Sequence, residues 1–436
     1  MRAAPSNGYG MKTRWRLLLI FGTVACSREI VFRNVNVVRV ATGAIDVQQA
    51  VVVRDGLIKA VGRNDSISTP KGSTVIDGRG KYLLPGLADM HAHLAEPLDP
   101  AGMAEAQLML FLANGVTTIR SMRGFSNHLK LRERVRKGEL MGPTILVTGP
   151  GLDERWPRSA AEAEAAVLDQ KRQGYDLIKV LPGLSLPIYD AVAKTAKNAG
   201  ISFAGHVPPA VGLRHALDAG QSTIEHLDGY VETPDSIQRT VEVGAWNIAT
   251  MAVMETNLGL VAEAELLDRP ELEYMPKASI EEWLRIRSFG NPPPDVSEKL
   301  NRKRMELLKS LRDSNAKILF GTDSPQLFNV PGFSIHREIR LMRQAGLTPL
   351  DILQSATIHA AEYTGRQCGE IKADRCADLL LVEGNPVADL NNLRRVAGVM
   401  ANGQWLPAPE LRRRLRAIHE RPENYRRPNP SGSSLP

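Results

Sequence analysis

The chain has 436 residues, 43% of them hydrophobic and 24% charged, enough for one large catalytic domain and a smaller one, and too apolar for an extended disordered protein. The net charge of +7 misleads: residues 1–25 hold four basic residues and no acid, and residues 411–436 carry a net +5, leaving the body near −2. No basic face follows, which argues against nucleic acid as a partner.

In chain order, Lys12, Arg14 and Arg16 precede an apolar run from Leu17 to Ala25. That run is too short to span a bilayer and has the length of a signal-peptide core. Residues 1–26 are therefore expected to direct export, with Met11 an alternative start. "TVAC", ending at Cys26, resembles a bacterial lipoprotein box, although Thr23 stands where Leu is usual. The expectation is a periplasmic or membrane-anchored protein with a lipid on Cys26. Cys368 and Cys376 are the cysteines left after it, free to pair in an oxidising compartment.

Short Val- and Ile-rich runs broken by Gly, Asp and Asn follow over 28–84, and the same texture returns over 367–410. They predict hairpins, assembled from both chain ends into one small β-sandwich. Between them, over 85–366, eight apolar runs alternate with helix-like stretches: "GLADMHAHL", "VTTIRSM", "TILVTGPG", "LIKVLPG", "ISFAGHVP", "STIEHLDG", "WNIATMAV" and "AKILFGTDSP". Eight such units predict an α/β fold of TIM (β/α)8 barrel type. Residues 256–297 read as an insertion, a lid over the barrel mouth. Residues 411–436, rich in Arg and Pro, read as a disordered tail.

Barrel enzymes carry their chemistry at the C-terminal ends of the strands. The first run ends in Asp89, His91 and His93, alternate positions that share one face of a strand. The fourth carries Lys179 between Ile178 and Val180. The fifth ends in His206, the sixth in His226 and the eighth in Asp323. A single barrel histidine is more often a packed structural group, and a single lysine can reach solvent along its stem. Six ligand-capable side chains near one rim point instead to a metal centre. A free ammonium cannot ligate a cation. Desolvation makes the neutral amine accessible. Asp89 is read as an inward group supporting the ligands.

"PGLADMHAH", the strand-four lysine, the two spaced histidines, "GTDS", the Thr348-Pro349 helix start and "ADLLLVEGNP" stand in the order of the amidohydrolase superfamily. Residues 28–410 resemble its imidazolonepropionase-like and prolidase-like branch. The resemblance implies two divalent cations, zinc foremost. His91, His93 and Asp323 would hold one, His206 and His226 the other, with carboxylated Lys179 bridging both. It implies a metal-dependent amidohydrolase that cleaves a C–N amide bond of an N-acyl amino acid or dipeptide-like substrate by attack of a bridging hydroxide. Asp323 would move the proton to the leaving nitrogen.

Tyr230, four residues past His226, would reach the carbonyl oxygen by analogy with prolidase-like relatives. Arg120 and Arg123 follow the second strand, and Arg123 is the candidate for a substrate carboxylate. His336 and His359 fall on predicted helices and are read as structural. "HVP" at 206–208 departs from the "HVY" of some prolidase-like relatives, and Asp374 stands where Gly is common. The alternatives are a mononuclear deaminase or imidazolonepropionase-like cyclic amidase, a lactone or phosphotriester hydrolase using the same centre, and a non-catalytic scaffold. A homo-oligomer is expected.

Overall fold

The computed structural model describes residues 29–230 and 234–420. The export segment and Cys26 lie outside the described residues. The chain begins with β1 (Ile30–Arg39), β2 (Ala44–Arg54), β3 (Leu57–Arg63), β4 (Thr74–Asp77) and β5 (Tyr82–Pro85). β2 turns into β3 through Asp55 and Gly56, both at positive φ (54° and 71°). Asp tolerates that conformation and Gly adopts it at no steric cost, which is why this pair makes a two-residue hairpin turn.

At the far end come β14 (Leu379–Val382), β15 (Val396–Ala401) and β16 (Gln404–Pro407). The strands expected to form a β-sandwich make one eight-stranded sheet, ordered β16-β15-β14-β5-β1-β2-β3 with β4 beside β1. β5 joins the two ends: it runs parallel to β1 and antiparallel to β14, Leu83 facing Leu381. The alternation of the pleat gives these strands two apolar faces. Val37, Leu83, Leu379, Leu381 and Met400 pack into a core of their own with Phe32 and Ile58. Their neighbours Val38, Leu84, Leu380, Val382 and Val399 pack into the main core of the molecule.

Each of the eight apolar runs between them contains a strand. These are β6 (Leu87–Ala92), β7 (Val116–Ser121), β8 (Thr144–Val147), β9 (Leu177–Val180), β10 (Ser202–Gly205), β11 (Thr223–Glu225), β12 (Trp246–Ile248) and β13 (Lys317–Leu319). They pair in parallel as a three-stranded sheet, β6-β7-β8, and a five-stranded sheet, β9 to β13. Backbone hydrogen bonds link the sheets at both seams. Leu152 N donates to Lys179 O at 2.9 Å on one side. On the other, Met90 N donates to Phe320 O at 2.8 Å and His93 N to Ser324 O at 2.7 Å. The architecture is TIM-barrel-like α/β.

The expectation of a disordered tail from residue 411 fails for its first part. Ala408–His419 is a helix. Beneath its arginines runs an apolar stripe, with Leu411 buried in the main core and Leu415 and Ile418 packed on a neighbouring cluster. Arg413 and Arg414 pair with Glu410 one turn back, the helical spacing for such pairs. Residues 421–436 lie outside the described residues. Cys368 and Cys376 are joined by a disulfide, Cα to Cα 5.0 Å.

Candidate functional site

His91 and His93 stand at the end of β6, Lys179 in β9, His206 and His226 one residue past β10 and β11, and Asp323 just beyond β13. All six line one cavity of about 620 Å³. Nε2 of His93 lies 2.7 Å from Asp323 Oδ1, and Nε2 of His91 lies 3.5 Å from the same oxygen. The rings of His91 and His226 are 4.6 Å apart, and those of His206 and His226 stack at 4.7 Å. Donor atoms of His91, His93 and Asp323 all fall within 4.8 Å of one another. Two imidazole nitrogens and a carboxylate oxygen so placed fit a divalent cation.

The other nitrogens of three rings are tied down. His91 Nδ1 is 2.5 Å from Glu225 Oε2, His206 Nδ1 is 2.6 Å from Asp228 Oδ2, and His226 Nδ1 is 2.7 Å from Thr250 Oγ1. Such partners fix the ring and leave Nε2 for a ligand bond. Burial holds His91 and His226 well below the usual imidazole range, so both are neutral, as ligation requires. Burial also lowers the Lys179 amine, which makes no hydrogen bond or ion pair among the described residues. For Asp323 burial acts upward, but its contacts with the neighbouring imidazoles, the hydrogen bond with His93 among them, hold the carboxyl below the usual carboxylate range.

The backbone is strained where it delivers these groups. His226, Thr250 and Asp323 all sit in the left-handed region, at φ 58°, 46° and 60°, a cost that is retained where side-chain direction matters. Gly321 lets β13 approach β6: a Cβ there would lie 2.8 Å from both Cβ and N of His91. Asp89 accepts from Thr322 Oγ1 at 2.6 Å and Thr322 N at 3.0 Å. It fastens the Asp323 segment to β6, the supporting role expected of it.

Two expectations are corrected. Arg120 is not a rim residue. It is fully buried, donating to Glu225 Oε1 at 2.7 Å, Met90 O at 2.6 Å and the Tyr363 hydroxyl at 2.9 Å. A guanidinium inside a barrel survives because a carboxylate neutralises it. Tyr230 does not line the cavity. Its hydroxyl lies 2.7 Å from Asn247 Oδ1 and 2.8 Å from Thr240 Oγ1, partners that hold it in the packing beside β12. In the span 256–297, Val261, Leu266, Leu272, Met275 and Trp283 form a core with Phe328 and Val330, and Asn257 lines the cavity. Arg123 does line it, exposed and 3.2 Å from Glu96. His336 and His359 lie away from it, His359 Nδ1 facing the Ile318 carbonyl at 3.0 Å.

Glu225, Asp228, Thr250 and Arg304 escape sequence reasoning. Arg304 donates to the carbonyls of His226 at 2.5 Å and Ala249 at 3.1 Å, pinning both strand ends. The acids flanking His226 in "IEHLDG" were the available signal for Glu225 and Asp228; Thr250 and Arg304 have none.

A profile of the Amidohydrolase family matches residues 82–406. The chain belongs to the amidohydrolase family. This amidohydrolase is 24% identical over 395 residues to an imidazolonepropionase of Psychrobacter cryohalolentis, covering 82% of this chain and 88% of the relative. A bottromycin amidohydrolase structure superposes with a TM-score of 0.73 at 26% identity, over 89% of this chain and 90% of that one. A Xaa-Pro dipeptidase with methionine bound in its active site superposes at 0.69 and 22% identity, over 87% and 100%. The protein belongs to the imidazolonepropionase-like and prolidase-like branch and is a hydrolase acting on C–N bonds.

Proposed function

We propose that this amidohydrolase cleaves the amide bond of an N-acyl amino acid or a dipeptide-like substrate. The observation that carries this reading is the convergence of His91, His93, Lys179, His206, His226 and Asp323 on one cavity with arginines at its mouth. In this reading His91, His93 and Asp323 hold one divalent cation and His206 and His226 a second, zinc suiting the imidazole-rich set. Such ions polarise the scissile carbonyl and acidify water.

The chain's own groups do the rest. The neutral Lys179 amine would add to carbon dioxide: an N–C bond forms, one N–H proton leaves to solvent, and the resulting carbamate would supply anionic oxygens as ligands for the cations. Arg123 and Arg155, paired with the exposed Glu96 and with Asp153, can each exchange that partner for a substrate carboxylate. Asp323, within 3.3 Å of Gln326 Nε2, takes the proton of the attacking water and hands it to the leaving nitrogen. Export by the segment around Lys12 to Cys26, with a lipid on Cys26, belongs to the same reading; the mass of the mature N-terminus tests it.

Metal-loaded protein incubated with N-acyl amino acids and dipeptides should release free amino acid. Silence across that panel, with lactones or phosphotriesters turned over instead, would refute the substrate class. A mononuclear, cyclic-amidase reading has one observation in its favour: among the described residues of this cavity, His91, His93 and Asp323 form the tight donor group. Metal analysis separates the two, at two ions per chain or one.

A further inference from the structure

A second cavity, of about 630 Å³, shares none of the lining residues of the catalytic one. Its walls carry four arginines and four acids. Two pairs cancel within the wall: Arg337 with Glu271, and Arg340 with Glu255 at 2.8 Å. Two arginines and two acids remain. Arg269 is nine-tenths buried, and its recorded hydrogen bond goes to the Phe328 carbonyl at 3.0 Å. It has no ion pair among the described residues, and its remaining N–H groups are not sealed in protein. Burial and the neighbouring Arg337 push it down to about 10, outweighing Glu271, Glu255 and Glu265, which act upward. Arg394, at the end of the 3-10 turn Leu390–Arg394, has neither hydrogen bond nor ion pair among the described residues. Glu265 and Asp268, both exposed, line the same cavity, and their side chains make no hydrogen bond or ion pair among the described residues. Leu260, Val261 and Phe333 supply an apolar patch between.

A buried guanidinium with open donors beside a like charge is stabilised by an incoming carboxylate. The unpaired acids exclude a ligand of negative charge alone and call for a cation on the same molecule. We propose that this cavity binds a small zwitterion, an amino acid with an apolar side chain, its carboxylate on Arg269 and Arg394 and its ammonium at Glu265 and Asp268. The assignment rests on this lining and not on the catalytic reading.

Calorimetry on the full metal-loaded protein tests it with three probes: L-leucine, 4-methylpentanoate, which lacks the ammonium, and 3-methylbutylamine, which lacks the carboxylate. L-leucine should bind at millimolar or better, and each truncated probe at least tenfold more weakly. Arg394→Ala and Glu265→Gln, both at exposed positions, should each weaken L-leucine about tenfold, while Arg123→Ala at the catalytic mouth leaves this binding intact. Absence of L-leucine binding overturns the assignment. So does binding that Arg123→Ala abolishes and Arg394→Ala spares, which places the amino acid in the catalytic cavity. Equal binding of all three probes also overturns it.

Discussion

His91 owes its orientation to a carboxylate that stands beside a different histidine in the chain. Glu225 Oε2 holds His91 Nδ1, and Arg120 neutralises the other oxygen of that carboxylate. Glu225→Gln should therefore weaken metal binding about 10- to 100-fold, read by competition with a chromogenic chelator on folded protein. Unchanged affinity removes Glu225 from the centre. Lys179→Ala should leave no more than one ion per chain and lower turnover by about a thousandfold or more; a variant retaining two ions contradicts the bridge. Gly321→Ala forces a methyl against His91 and should cost about 1–3 kcal/mol, together with a loss of bound metal. The histidines and Asp323 were legible because strand ends announce themselves by apolar runs and fixed motifs. The groups that aim them were not. Thr250 and Arg304 reach His226 from distant segments, and no spacing rule links them. Arg120 misled because its strand end was placed by pattern, whereas an ion pair deep in the barrel decided where the guanidinium went.

At the scale of elements, the helix Ile335–Gln344 carries the buried His336, which burial pushes down to about 3, with Arg394 and Arg337 adding repulsion. In the unfolded chain this imidazole titrates near 6.5. Between those values the unfolded state binds a proton and the folded state does not, so stability is full above pH 6.5 and declines toward pH 3. Urea unfolding should show His336 costing roughly 2 kcal/mol on going from pH 6.5 to 5, at about 1.4 kcal/mol per unit. His336→Gln should remove that slope. The helix Ala408–His419 was illegible for a different reason. Its arginines dominate the composition, yet Leu411, Leu415 and Ile418 keep helical spacing and find a surface to cover. Leu411→Ala should cost about 2 kcal/mol or more, seen as a lower urea midpoint at unchanged slope. The eight barrel runs were easier, because a parallel strand buried on both faces reads as an uninterrupted apolar word.

For the whole molecule, a ligand held by the native state alone stabilises it by mass action. Exhaustive chelation should lower the melting temperature and abolish turnover, and returning the ion should restore both. A melting curve indifferent to chelation argues against a structural stake in the cations. The seam at β5 has another consequence. This strand sits between β1 and β14, one made early in synthesis and one almost last. A chain still emerging from a ribosome thus carries β5 with one edge bare, and the sheet cannot seal until the final segments arrive. Such a latecomer topology makes completion of this one sheet wait for the far end of the chain.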